Sequence, residues 1–222
     1  MTFSLVARCA KTGQFGMVIS SSSPAVAARC AHVRAGVGAV ASQNITDPEL
    51  GPLLLDQLAT QDADAALAAL TGGRAHIDYR QLLVIDRAGR TAVYSGSQVL
   101  GFWGQAQGRD CAAGGNLLAN PDVPAAMVGA FEEATGHLAD RLMLALSAGF
   151  TAGGEAGPVH SAGLKLADSL SWPLVDLRVD WSDQPIADLQ AAWVVYRPQM
   201  TAYVQRALDP TRAPSYGVPG DK

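Results

Sequence analysis

Met1-Thr2-Phe3-Ser4-Leu5-Val6-Ala7-Arg8, at the head of the chain, reads as a β-strand with a hydroxyl on its second residue. Thr2 has a side chain small enough for an initiator methionine to be trimmed in the cytoplasm. Trimming leaves a threonine that carries both a hydroxyl and a free α-amine on the first residue of a strand. That pair is a minimal catalytic unit, in which the hydroxyl attacks and the amine takes its proton. An α-amine has an unperturbed pKa of about 7.7–8.0, so a useful fraction is free base near neutral pH.

Outward from this strand, Lys11-Thr12-Gly13 supplies a turn and Phe15 to Ser20 returns as the hairpin partner. Small residues from Ser20 to Cys30 lead to a strand expected at about Val33 to Gln43, which contains the glycine-rich Ala35-Gly36-Val37-Gly38-Ala39-Val40. Asp47 is placed as an N-cap with Pro48 opening a helix, and Asp62 opens a second that stops at Gly72-Gly73. Strands follow at Gln81–Asp86, Thr91–Ser95, about Val99–Gln105 and Asp110–Asn116. Pro121 and Pro124 open a helix through Phe131, and His137 to Phe150 forms another. His160–Ala167 and Leu174–Asp180 read as strands, and a last helix starts near Pro185, kinked or ended by Pro198. Strand runs alternating with helix pairs imply an α+β molecule of two stacked sheets with helices on both outer sides.

The 222 residues are expected to form a single domain, 1–222, with 209–222 as a C-terminal tail. Apolar residues at 49% and charged ones at 16% provide a large core. The net charge of −4 with scattered basic residues gives no nucleic-acid footprint, and no apolar run is long enough to span a bilayer. No secretory leader is read at the N-terminus, and Cys9, Cys30 and Cys111 are odd in number without CxxC spacing. The expectation is a cytoplasmic protein with reduced thiols. His32, His76, His137 and His160 occur singly, so neither a metal site nor a cofactor is expected.

Four constellations carry candidate chemistry. Thr2 needs a nearby cation, and Arg34 at the head of the glycine-rich strand either reaches it or is a strand-end arginine in solvent or an ion pair. Within Ser20-Ser21-Ser22-Ser23, a hydroxyl of Ser21 or Ser22 holds the amine or a water, or the run is a small-residue loop. Gly114-Gly115-Asn116 is an oxyanion site or a turn, and Gln43-Asn44 offers a similar pair of amides. His160-Ser161 is placed to touch a substrate or to end a strand.

Taken together, Thr2–Arg8, the block Arg34–Gln43, Gly115-Asn116-Leu117-Leu118-Ala119 and the tail Ala213–Asp221 resemble the bacterial domain of unknown function 1028 family, placed among the N-terminal-nucleophile (Ntn) hydrolases. The resemblance runs through essentially the whole chain. It implies a four-layer αββα sandwich of the Ntn hydrolase type with Thr2 on a central strand. It raises Arg34 as a basic residue on a following strand, and makes Ser21, Asn116 and Ser161 lining or oxyanion groups. The family pattern also implies a lysine in the segment that here reads Ser20 to Ser23, so that cation is missing.

The expected function is an N-terminal-threonine hydrolase that cleaves a C–N amide bond in a small molecule through an acyl-enzyme ester. Thr2, Arg34 and Asn116 form its catalytic set, and Ser21, Ser22, Asn44, Gly115 and Ser161 line the substrate. A homo-oligomer is expected, since threonine hydrolases of this fold often assemble. The alternatives are an inactive metabolite-binding protein and an assembly subunit, each of the same fold with Met1 retained.

Overall fold

The computed structural model describes residues 1–219 of the chain. Its first sheet has six antiparallel strands in the order β10-β9-β2-β1-β8-β7. These are β1 (Thr2–Arg8), β2 (Phe15–Ser21), β7 (Gly104–Gly108), β8 (Cys111–Asn116), β9 (Ser161–Ala167) and β10 (Val175–Val179). The second sheet is an antiparallel meander of β3 (Ala31–Arg34), β4 (Gly38–Asn44), β5 (Arg80–Asp86) and β6 (Thr91–Ser95). Among the described residues, seven α-helices complete the fold: α1 (Val26–Cys30), α2 (Leu50–Leu58), α3 (Ala63–Thr71), α4 (Val123–Glu133), α5 (Leu138–Thr151), α6 (Pro185–Tyr196) and α7 (Met200–Leu208).

Side-chain alternation along β1 explains the layering, because successive residues of a strand face opposite sides of a sheet. Phe3, Leu5 and Ala7 point into a core shared with Met127 and Phe131 of α4, Leu142 and Leu146 of α5, and Trp193 of α6. Val6 points the other way, into a core with Met17, Ile19, Ala39, Ala41, Leu83 and Ile85, which fills the space between the sheets. Val40, Leu82 and Val84 face outward from the second sheet onto Leu54 and Leu58 of α2 and Leu67 of α3. The layers therefore run helices, sheet, sheet, helices. Fully burying each large apolar side chain is worth about 1.5–3 kcal/mol, so β1, clad on both faces, is an anchor for the whole arrangement.

Local chemistry sets the element ends. The Asp62 side chain accepts from the Ala65 backbone N–H at 2.9 Å and caps α3. His137 caps α5 through Nδ1, which accepts from the Ala139 N–H at 3.2 Å. Pro198 interrupts the last helical run in a 3₁₀ turn, which ends α6 and restarts the chain as α7.

Three expectations are corrected. Val33 to Gln43 is not one strand: Gly36 takes φ +69°, the Val37 N–H donates to the Arg34 carbonyl at 3.2 Å, and the chain doubles back as the β3–β4 hairpin. The region Val99–Gln105 is largely loop, and β7 starts at Gly104. The helix expected from Pro48 starts at Leu50, because the Asp47 carboxylate and carbonyl accept from the Glu49 and Leu50 N–H groups in a turn that precedes it. Of the expected tail, Pro210–Arg212 form a 3₁₀ turn and residues 213–219 are irregular, while residues 220–222 lie outside the described residues.

Candidate active site at the first residue of β1

Antiparallel pairing sets Thr2 opposite Asn116 of β8. On its other side the register pairs Phe3 with Ser20, which brings Ser21 of β2 level with Thr2. Ser21 in turn opposes Ser161 of β9. Residues directly opposite on neighbouring strands share a face, with Cβ atoms about 4.5–5.5 Å apart. Ser161, Ser21, Thr2 and Asn116 thus form one row across four strands. They point to the same side as Ser4 and Val6, toward the second sheet, at one end of the sandwich. All four are buried, Thr2 with 4% of its surface exposed.

Two hydroxyls in this row converge on one acceptor. The Thr2 hydroxyl donates to the carbonyl of Met1, and the Ser21 hydroxyl donates to the same oxygen at 2.5 Å. Ser21 Oγ also accepts from the Ser23 N–H at 3.0 Å. Ser161 donates to the Ser23 carbonyl at 2.6 Å and accepts from the Val26 N–H at 3.2 Å, so it holds the loop after β2 in place. Asn116 gives an Nδ2–H to Gln81 Oε1 at 3.2 Å, while its Oδ1 is buried with no partner among the described residues. Gln81 Oε1 also accepts from Gln43 at 2.8 Å, and Gln43 Oε1 accepts from Ser4 at 2.6 Å. This chain of amides ties the two sheets together directly behind the row.

A carboxylate that the sequence reading did not single out completes the cluster. Glu155 is 5% exposed, and both of its oxygens accept from the Ser22 N–H, at 3.0 and 3.1 Å. Burial pushes its carboxyl up to about 7, against the opposing pull of the Ser22 hydrogen bonds, the positive chain terminus and His160. The turn after α5 delivers it: Gly153 and Gly154 take φ +125° and +56°, and Glu155 then bridges to Leu118, two residues beyond Asn116. The available signal is the pair Gly153-Gly154 just ahead of a lone carboxylate. Beside it, the His160 N–H donates to the Ser21 carbonyl at 2.8 Å, and its ring stacks on Trp181 with centroids 4.4 Å apart.

Three expected site residues are placed elsewhere. Arg34 pairs with Asp56 of α2 at 2.7 Å in an exposed ion pair. It lies opposite Gly38 at the far end of β4 from Gln43, about 17 Å away at the usual rise per residue. The Gly36 turn is the physical reason, since it reverses the chain immediately after Arg34. Asn44 straps the end of the second sheet: its Nδ2 donates to the Tyr79 carbonyl at 2.7 Å and its Oδ1 accepts from the Leu100 N–H at 3.2 Å. Gly115 pairs with Phe3, and a Cβ there would meet Leu118 on the helix side and the Thr2 backbone carbonyl, so it offers no side chain to the Thr2 row. Ser22 contributes through its bonds to Glu155.

No curated protein matches the chain. Among solved structures it is similar to a Silicibacter pomeroyi protein of the DUF1028 family, with 28% identity, 88% of each chain covered and a TM-score of 0.81. A much weaker likeness, 10% identity and a TM-score of 0.40 over 90% of this chain and 97% of the other, is to Anbu (ancestral beta-subunit) from Yersinia bercovieri. The family model for the family of unknown function DUF1028 matches residues 2–189, from the first residue of β1 into α6, and the chain belongs to that family.

Proposed function

We propose that the chain is an Ntn-type hydrolase that uses Thr2, once Met1 is removed, to cleave the C–N bond of a small amide. The observation that carries this reading is the convergence of the Thr2 and Ser21 hydroxyls on the Met1 carbonyl. Hydrolysis of the Met1–Thr2 bond removes that carbonyl and puts a free α-amine within the same cluster. The amine, directly or through a water, takes the proton from Thr2 Oγ1, which attacks the substrate carbonyl carbon. Asn116, opposite Thr2, has one N–H beyond the one given to Gln81 for the developing oxyanion, and an unpaired Oδ1 for the amine. Collapse of the tetrahedral species breaks the C–N bond, and the leaving nitrogen takes the proton back from the α-ammonium. Water then hydrolyses the Thr2 ester. Ser21 orients the amine. Arg34, paired with Asp56, supplies no cation here. Glu155 is opposite in charge and plays a different part, and its role in the ionised form is to hold the α-ammonium between steps.

A second reading, a metabolite-binding or assembly protein with Met1 retained, is favoured by one observation: the Met1 carbonyl already satisfies both hydroxyls. Intact mass of untagged protein separates the two. A mass short by one methionine, with amide turnover nearly abolished in Thr2→Ala and partly retained in Thr2→Ser, is the expected result. Full-length mass in every molecule, or equal turnover in all three proteins, removes the hydrolase reading.

A further inference from the structure

The opposite end of β1, about 20 Å from Thr2 at the usual rise per residue, borders a cavity of about 270 Å³. Arg8 at the end of β1, Cys9 to Lys11 of the following turn, Arg109 and Asp110 between β7 and β8, Glu132 of α4 and Arg141 of α5 line it, together with Ala134–Gly136. Four of the chain's 16 lysines and arginines thus meet around one small cavity, in a molecule whose net charge is −4. Only two carboxylates join them, and both are engaged: Asp110 with Arg8 at 3.2 Å, and Glu132 with the Arg109 backbone N–H at 2.6 Å.

The cations are left under-compensated. Arg141 spends one N–H on the Phe131 carbonyl at 3.2 Å and lies 4.0 Å from the centre of the Phe131 ring. It has no carboxylate partner among the described residues, and neither does Lys11 or Arg109. The Nε groups of Arg8 and Arg141 are buried with no acceptor among the described residues. Unpaired buried donors cost free energy until an acceptor arrives. We propose that this cavity is a binding site for a small tetrahedral dianion, phosphate or the phosphate of a small phosphomonoester, held by Arg8, Lys11, Arg109 and Arg141. The lining carries two more positive than negative side chains, which matches a dianion. Guanidinium forks suit phosphate oxygens. The volume falls below the roughly 300–1,000 Å³ typical of drug-sized ligand sites, which favours a compact anion.

The test is thermal unfolding and calorimetric titration of the full chain with inorganic phosphate, against sodium chloride at matched ionic strength. Lys11 and Arg109 are exposed and outside the Thr2 cluster, so Lys11→Ala/Arg109→Ala is expected to fold with an unchanged melting temperature in chloride. The expected result is a saturable rise in melting temperature specific to phosphate, with affinity reduced at least tenfold in the double variant. Glucose 6-phosphate and sulfate then separate a phosphomonoester site from one that takes any tetrahedral dianion. No phosphate effect beyond that of chloride, or equal binding by the double variant, overturns the proposal.

Discussion

Glu155 is the residue whose chemistry departs most from its type. Its carboxyl, raised by burial from the ordinary 4.5 to about 7, favours the protonated form in the folded chain at acidic and near-neutral pH. A folded pKa above the unfolded one contributes stability that is complete below about pH 4.5 and lost as pH rises through about 7. At 1.36 kcal/mol per unit, the loss is on the order of 3 kcal/mol. Glu155→Gln keeps an acceptor for the Ser22 N–H without the charge. The variant is therefore expected to gain stability over the wild type progressively from pH 5 to pH 8 in urea unfolding, while amide turnover falls by about 10²-fold. A stability difference that does not change with pH means the carboxylate is not strained. Thr2, Ser21, Asn116 and Ser161 were legible in the sequence because each lies at the end of a strand, where register brings separate segments together. Glu155 was not, because its position depends on two left-handed glycines and a single bridge to Leu118 that no periodicity announces.

At the scale of elements, periodicity located most strands and helices, and the failure that displaced a site residue has a local cause. A small-residue stretch such as Ala35-Gly36-Val37-Gly38 is compatible with a buried strand and with a tight turn, and only tertiary pairing decides between them. Misplacing that turn carried Arg34 to the wrong end of the molecule. α6 is the opposite case, since one residue fastens it. Trp193 is 1% exposed, its Nε1–H donates to Asp140 of α5 at 2.8 Å, and its ring stacks on His137, the cap of α5, with centroids 5.6 Å apart. Trp193→Ala is expected to cost about 3–5 kcal/mol, the range for deleting a large buried aromatic side chain. Trp193→Phe, which keeps the bulk and loses the N–H donor, is expected to cost about 1–2 kcal/mol. Urea midpoints of the two variants check both figures, and equal losses place the energy in the hydrogen bond rather than in packing.

Across the whole molecule, burial is unevenly distributed along the chain. The family match ends at residue 189, inside α6, and Trp193 is the last large side chain to be fully buried among the described residues. α7 buries none of its residues completely and is held by partial packing of Met200 and by stacking of Tyr196 on Tyr203, centroids 5.7 Å apart. Arg206, over the Tyr216 ring at 3.7 Å, ties α7 to the segment that follows it rather than to the core. Hydrophobic stabilisation follows the apolar area removed from water, so residues 200–222, as far as they are described, contribute little of it. Removing them is expected to lower the melting temperature by less than about 4 °C, the shift that roughly 1 kcal/mol produces in a protein of this size. Ending the chain at residue 184 instead also removes Leu189 and Trp193, both from the core that backs β1. That shorter chain is expected to lose cooperative unfolding and to bind a hydrophobic dye, because the faces of β9 and α5 that α6 covers become open to solvent. Calorimetry of the two truncations decides the matter. A large loss on removing 200–222 alone assigns α7 a structural part that its burial does not suggest, whereas the expected contrast puts the boundary of the folding unit at the end of α6.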